Sequence, residues 1–148
     1  MKNILLILAD GFEDIEAVGT LDILRRCGFT VTAAALDDTA AVSSHGLKVV
    51  ADAGLAAVAA LEFDAVILPG GMPGARRLHD SPLVGEIVLR HWRNGKIVAA
   101  ICAAPIVLAR AGILRDGRFT LYPSPDFDKF LGGVSPTAAL IERDGNII

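Results

Sequence analysis

Cys102 stands where an apolar run meets a helix start, and a thiol in that position can act as a nucleophile. Residues 96–101 read as a buried strand. Pro105 suits the first turn of a following helix, and Ala100, Ala103 and Ala104 are small. This is the layout of a nucleophile elbow, a tight strand-to-helix turn in which bulky neighbours would clash. The helix N-terminus would favour the thiolate, which is the reactive form. The competing reading is a buried structural cysteine, among the most buried residue types. Cys27, before Gly28 at a helix end, reads as inert because the dipole there disfavours a thiolate.

Glu16 falls in the first turn of the first helix, just past the first strand. An acid beside a thiol can donate or accept a proton. It can equally compensate the helix N-terminus, as Glu13 and Asp14 can. Gly70-Gly71-Met72-Pro73-Gly74 is a tight loop after another apolar run. Its N–H groups can bind an oxyanion, or the loop is a plain turn. The spacing is neither a dinucleotide fingerprint nor a Walker loop.

The histidines offer no metal-ligand spacing, so no metal site is expected. His45 sits at a hairpin turn, where it can face a site or a partner. His79 reads as part of a loop and His91, beside Trp92, as a solvated helix end. Arg25 and Arg26 read as a solvated helix end too. Tyr122 closes a run on the same predicted sheet edge.

The elements that would position these residues alternate along the chain. Apolar runs at 2–8, 63–68 and 96–101 predict parallel strands buried on both faces. A further strand is predicted at 29–35 and a weaker one at 119–122. Helical spacing marks 14–27, with Ile15, Val18 and Leu21 (and Ile23 and Leu24 nearby) as its apolar stripe. Helices are also predicted at 54–61, 82–92 and 104–111, with a short one at 126–131. Hairpins are predicted at 42–50 about His45-Gly46, and between 138–142 and 146–148 about Asp144-Gly145. The alternation predicts a doubly wound α/β sheet with ligands at the carboxyl ends of its strands. Three such ends carry the residues above.

Composition sets the limits. The 148 residues carry 14 Lys+Arg against 17 Asp+Glu, a net charge of −3, and 53% are hydrophobic. One domain with a sizeable core follows, and disorder is excluded. No basic excess exists to neutralise phosphates, so no nucleic-acid partner is expected. The longest apolar run, 97–109, has 13 residues, fewer than the roughly 18 that suggest a span, so no membrane partner is expected. The first residues make a poor signal peptide, and two separated cysteines make no disulfide framework. A cytoplasmic protein is the expectation.

Three stretches together resemble the ThiJ/PfpI superfamily, in the branch of the Parkinson-disease protein deglycase. They are Leu8-Ala9-Asp10-Gly11-Phe12-Glu13-Asp14-Ile15-Glu16, Val66-Ile67-Leu68-Pro69-Gly70-Gly71 and Ala99-Ala100-Ile101-Cys102-Ala103-Ala104-Pro105. Leu24-Arg25-Arg26-Cys27-Gly28 and Ser44-His45-Gly46 also fit, so the resemblance covers the chain in order. It implies a flavodoxin-like three-layer sandwich, mostly parallel, as a single domain over 1–148 without the family's last helix. It implies a homodimer. Cys102 would be the nucleophile, Glu16 a buried protonated acid bonded to its sulfur, and the N–H groups of Gly71 and Ala103 an oxyanion site. Gly70, His45 and Tyr122 would line the substrate site. Two departures stand out. Protease-like members carry His where this chain has Ala103, so no Cys-His peptidase dyad is expected. The animal branch carries His where this chain has Tyr122.

The function this implies is a cofactor-independent enzyme acting on small reactive carbonyls such as 2-oxoaldehydes, of glyoxalase or deglycase type. Two other readings remain open on the residues alone: a redox sensor or protective chaperone through oxidation of Cys102, and a structural module.

Overall fold

The computed structural model describes residues 2–148. A five-stranded parallel sheet runs in the order β5-β2-β1-β6-β7. The strands are β1 (Asn3–Leu8), β2 (Thr30–Ala35), β5 (Ala53–Gly54), β6 (Ala65–Leu68) and β7 (Ile97–Ala100). The central strand, NILLIL, is buried on both faces after its first residue, as its unbroken apolar run predicts. Chain order reverses on either side of β1, so the loops leaving β1 and β6 diverge and open a crevice at their carboxyl ends. A short antiparallel hairpin, β3 (Ala40–Val42) and β4 (Lys48–Val50), lies outside this sheet.

Helices α2 (Leu55–Val58), α3 (Gly74–Asp80), α4 (Pro82–Arg93) and α5 (Pro105–Arg110) follow in the chain. Leu78, Val84, Ile87, Val88, Ile106 and Leu108 bury one sheet face with Leu5, Ile7, Val66 and Val98. The other face, with Leu6, Leu8 and Ala33, packs on Ala17, Leu21 and Leu24. These last three are spaced i, i+4, i+7, the inward stripe of a helix. They belong to a π turn (Ile15–Gly19) that runs into α1 (Thr20–Arg26).

Here the predicted stripe is corrected. Ile15 is 81% exposed and Ile23 61%, and Val18 faces solvent with them. Only the part of the pattern in phase with Ala17 reaches the sheet. Helix α3 is absent from the sequence reading, which ended at a glycine loop. Its signals were Ala75 and Leu78 three apart and an Arg76–Asp80 pair at i, i+4, joined at 2.6 Å. His79 therefore lies on a helix, bonded to Asp80 and edge-on to the Phe130 ring at 5.0 Å.

The predicted strand at 119–122 is irregular. Thr137 N–H donates to Phe119 O, and Tyr122 N–H donates to Cys102 O, without a regular ladder. The second hairpin is also corrected. The turn at Asp144-Gly145 forms, but residues 146–148 do not pair with 138–142. They lie parallel beside β7, where Val98 N–H donates to Asn146 O and Ile148 N–H to Val98 O. The unpaired edge of β7 supplied the better partner. Pro125–Phe130 forms a 3₁₀ turn near the short helix predicted. Among the described residues, no helix is long and apolar enough to cross a membrane.

His91 is buried, not solvated. Its Nε2 accepts Phe63 N–H at 3.1 Å, so its Nδ1 carries the hydrogen donated to Ile87 O at 2.7 Å. Burial holds the imidazole below its ordinary value. The unfolded chain then takes up this proton at a higher pH than the folded one. The stability His91 contributes is full above about pH 6.5 and is lost as pH falls toward the lowered value. Between pH 7.5 and 5.5 the urea midpoint is expected to fall, and His91→Gln is expected to flatten that fall; equal slopes would contradict the assignment.

Candidate active site

Three strand ends converge. From β1, residues 10–16 cross the top of the sheet; from β6 comes the Pro69–Gly74 loop; from β7 comes Cys102. Glu13 N–H donates to Gly70 O at 3.0 Å, and Gly74 N–H to Gly11 O at 3.2 Å. A Cβ on Gly70 would stand 2.7 Å from both Cys102 Cβ and Glu16 Oε2. Gly71 combines a φ of +87° with a Cβ position 2.6 Å from Gly11 O. Only glycine fits at either place.

Cys102 has a φ of +59°, and among the described residues it is the one non-glycine in the left-handed region. The elbow is held by Ile101 N–H on Leu68 O, Ala104 N–H on Ile101 O and Tyr122 N–H on Cys102 O. Strain at a non-glycine residue persists when the surroundings over-determine it, and it concentrates at functional sites.

Glu16 rides on the π turn, and its Oε2 accepts Gly70 N–H at 2.7 Å. The Glu16 carboxyl and the N–H groups of Gly71 and Ala103 lie close enough to the Cys102 sulfur to act on its ionisation. Burial, then the Glu16 charge, then the Glu16 hydrogen bond push the thiol up; the two N–H groups pull it down. The net direction is upward, against the depressed value expected from a helix N-terminus. Helix α5 has only six residues, and the sulfur is desolvated beside an acid, which outweighs so short a dipole.

Cys102 and Glu16 open onto a groove of about 730 Å³, lined also by Ile101, Pro105, Leu108 and Tyr122. Cys27 is exposed and free. His45 is not among the groove residues. Its Nδ1 lies 3.1 Å from Asp14 Oδ2 and 3.7 Å from Glu13 Oε1. These three side chains are the one group among the described residues whose spacing suits a metal ion. Spacing along the chain hid them because they come from two distant segments. Sequence reasoning also missed Ser43, which is buried and bonds Asp14 at 2.7 Å; its signal was only a serine at a strand end.

The sequence pattern of the DJ-1/PfpI family matches residues 2–148. The chain belongs to this family. Drosophila melanogaster dj-1beta is 43% identical over 150 residues, covering 99% of this chain and 79% of that protein. A protein named deglycase from Pyrococcus abyssi is 36% identical, covering 97% and 86%. The crystal structure of a DJ-1 superfamily protein from Salmonella typhimurium superposes with a TM-score of 0.90 at 38% identity, covering 99% of this chain and 80% of that one. The DJ-1/PfpI assignment agrees with the flavodoxin-like α/β architecture described above.

The strain at the elbow gives a test. Cys102→Gly is expected to exceed Cys102→Ala in unfolding free energy by about 1 kcal/mol, because only glycine adopts this φ freely. Gly70→Ala is expected to lower stability by about 1–3 kcal/mol and to slow alkylation at Cys102, read by peptide mass.

Proposed function

We propose that this protein is a cysteine-dependent enzyme acting on 2-oxoaldehydes or their adducts, of glyoxalase or deglycase type, and working without a cofactor. The observation that carries the reading is the convergence of the Gly71 and Ala103 N–H groups and the Glu16 side chain on one sulfur. The relatives named deglycase support the same class.

Glu16 holds a proton in the resting site. In that state it donates to the Cys102 sulfur with one oxygen and accepts Gly70 N–H with the other. The repulsion that pushes the thiol up is then removed. The thiolate forms a C–S bond to the aldehyde carbon of a substrate such as methylglyoxal, and the carbonyl electron pair moves to oxygen. The N–H groups of Gly71 and Ala103 stabilise that oxyanion. Glu16 protonates it and removes the proton from the former aldehyde carbon, giving an enediol. It returns that proton to the adjacent carbon while the hydroxyl proton on the former aldehyde oxygen passes to the former ketone oxygen. The hemithioacetal thereby becomes a lactate thioester, an isomerisation that needs no outside oxidant. Water cleaves the thioester and restores the thiol. Tyr122 flanks the substrate in the groove. Gly70 is buried outside the groove lining and orients Glu16 through its N–H. Two free thiols suit a reducing cytoplasm.

D-lactate formation from methylglyoxal is expected and should vanish in Cys102→Ala. Glu16→Gln keeps a donor toward the sulfur and an acceptor for Gly70, so the apparent pKa for alkylation of Cys102 should stay or rise slightly. Turnover should fall about 10²-fold or more, since the proton carrier is gone. A lower pKa in Glu16→Gln would show that Glu16 rests as a carboxylate and would sink its assigned role.

We assign the exposed apolar side chains Ile15, Val18 and Ile23 to an interface with a second copy of the chain. Ile23→Glu is expected to shift sedimentation to the monomer, while wild type sediments as a dimer.

A further inference from the structure

Glu16 reaches the sulfur only because the segment before it is held from two sides. On one side stands the glycine loop after β6. On the other stands the β3–β4 hairpin. Gly11 N–H donates to Val42 O at 2.7 Å, and Ser44 N–H to Phe12 O at 2.8 Å. Val42 N–H donates to Asp10 Oδ1 at 2.8 Å. These contacts fix residues 10–12. The chain then still has to turn into the π segment that carries Glu16, and side chains of the hairpin act there. Ser44 Oγ donates to Glu13 Oε2 at 3.1 Å and His45 Nδ1 meets Asp14 Oδ2 at 3.1 Å, both from exposed residues, while one connection starts from a buried side chain.

That connection is Ser43–Asp14. Ser43 is buried, and its Oγ has every bonding direction committed. It accepts Leu47 N–H at 3.0 Å and His45 N–H at 3.2 Å, so its hydroxyl hydrogen goes to Asp14 Oδ1 at 2.7 Å. Two backbone donors of the hairpin turn thus orient the hydroxyl toward Asp14. Asp14 is the residue immediately before Ile15–Gly19, and its side chain makes no capping bond to that turn. Its carboxylate is spent on the hairpin. The Ser43 bond is the largest influence holding the Asp14 carboxyl below its ordinary value. The other charged groups facing Asp14 are His45, 3.1 Å from Oδ2, and Glu13, which shares that imidazole.

We infer that Ser43 is a positioning residue for the Cys102 chemistry: through Asp14 it sets the start of the π turn, and so the place of the Glu16 carboxyl between Gly70 N–H and the sulfur. The inference rests on the role given to Glu16 above. Small displacements of an acid beside a nucleophile are costly, because the proton path needs heavy atoms within about 2.6–3.2 Å.

The test compares Ser43→Ala, Asp14→Ala, Asp14→Asn and Glu16→Ala. Two quantities are read: the pH profile of Cys102 alkylation, and kcat and KM for lactate formation, with thermal midpoints recorded beside them. Asp14→Asn keeps an acceptor for the Ser43 hydroxyl. Ser43→Ala and Asp14→Ala are expected to move the Cys102 profile toward that of Glu16→Ala and to lower kcat about tenfold at nearly unchanged KM. The double variant should be no worse than either single one, as expected of two members of one connection. Asp14→Asn should stay within about threefold of wild type. A purely structural role would lower the midpoints and leave the Cys102 profile in place, and that outcome overturns the inference while Glu16→Ala remains altered. Loss in Asp14→Asn as large as in Asp14→Ala also overturns it. A wild-type profile in Glu16→Ala overturns the Glu16 role, and this inference with it.

Discussion

No side chain fits between the end of β6 and the two segments beside it, and the site depends on that exclusion. Gly70 leaves room for the Cys102 Cβ and the Glu16 carboxyl at one point. Gly71 lets the backbone pass against residues 11–13 while its N–H reaches the sulfur. Any Cβ here would push three strand ends apart together. The glycines therefore set how closely the acid, the thiol and the donors approach, and the sheet beneath supplies the rigidity that keeps that approach fixed.

The electrostatics follow from the same closeness. A desolvated sulfur beside an acid is poorly placed to ionise, and two backbone donors only partly offset the burial and the neighbouring charge. In the proposed mechanism this conflict is resolved by a proton shared between Glu16 and Cys102, because a neutral acid donates to a thiolate instead of repelling it. Gly70 N–H occupies Glu16 Oε2, so the remaining oxygen is the one free to carry that proton.

The strand ends could be read in advance because parallel strands buried on both faces need unbroken apolar runs. Ile4 to Leu8, Val66 to Leu68 and the stretch into Cys102 each show one. The element with the wrong inward face was the first helix. A π turn begins it, and its apolar residues exceed what the sheet can cover, so the pattern pointed to one face where the fold uses another. His91 was misread for a related reason. An imidazole beside Trp92 looks polar in sequence, but a distant backbone N–H at Phe63 and the carbonyl of Ile87 satisfy both ring nitrogens. Helix α3 was hidden by the glycine loop before it, whose turn signals outweighed a short amphipathic pattern.

By itself the sequence determined the alternation of strands and helices, the glycine loop, and a cysteine at a strand-to-helix turn. Each is a local matter of period, turn chemistry or side-chain size, and local patterns survive without knowledge of partners. Only the tertiary structure decided how Glu16, which the family resemblance singles out over Glu13 and Asp14, is held beside the sulfur. It also decided that Asp14 and His45 turn toward the hairpin, and that residues 146–148 extend the sheet. Those outcomes join segments dozens of residues apart. Packing chooses among side chains of the same type through distance and direction, which residue order does not encode locally.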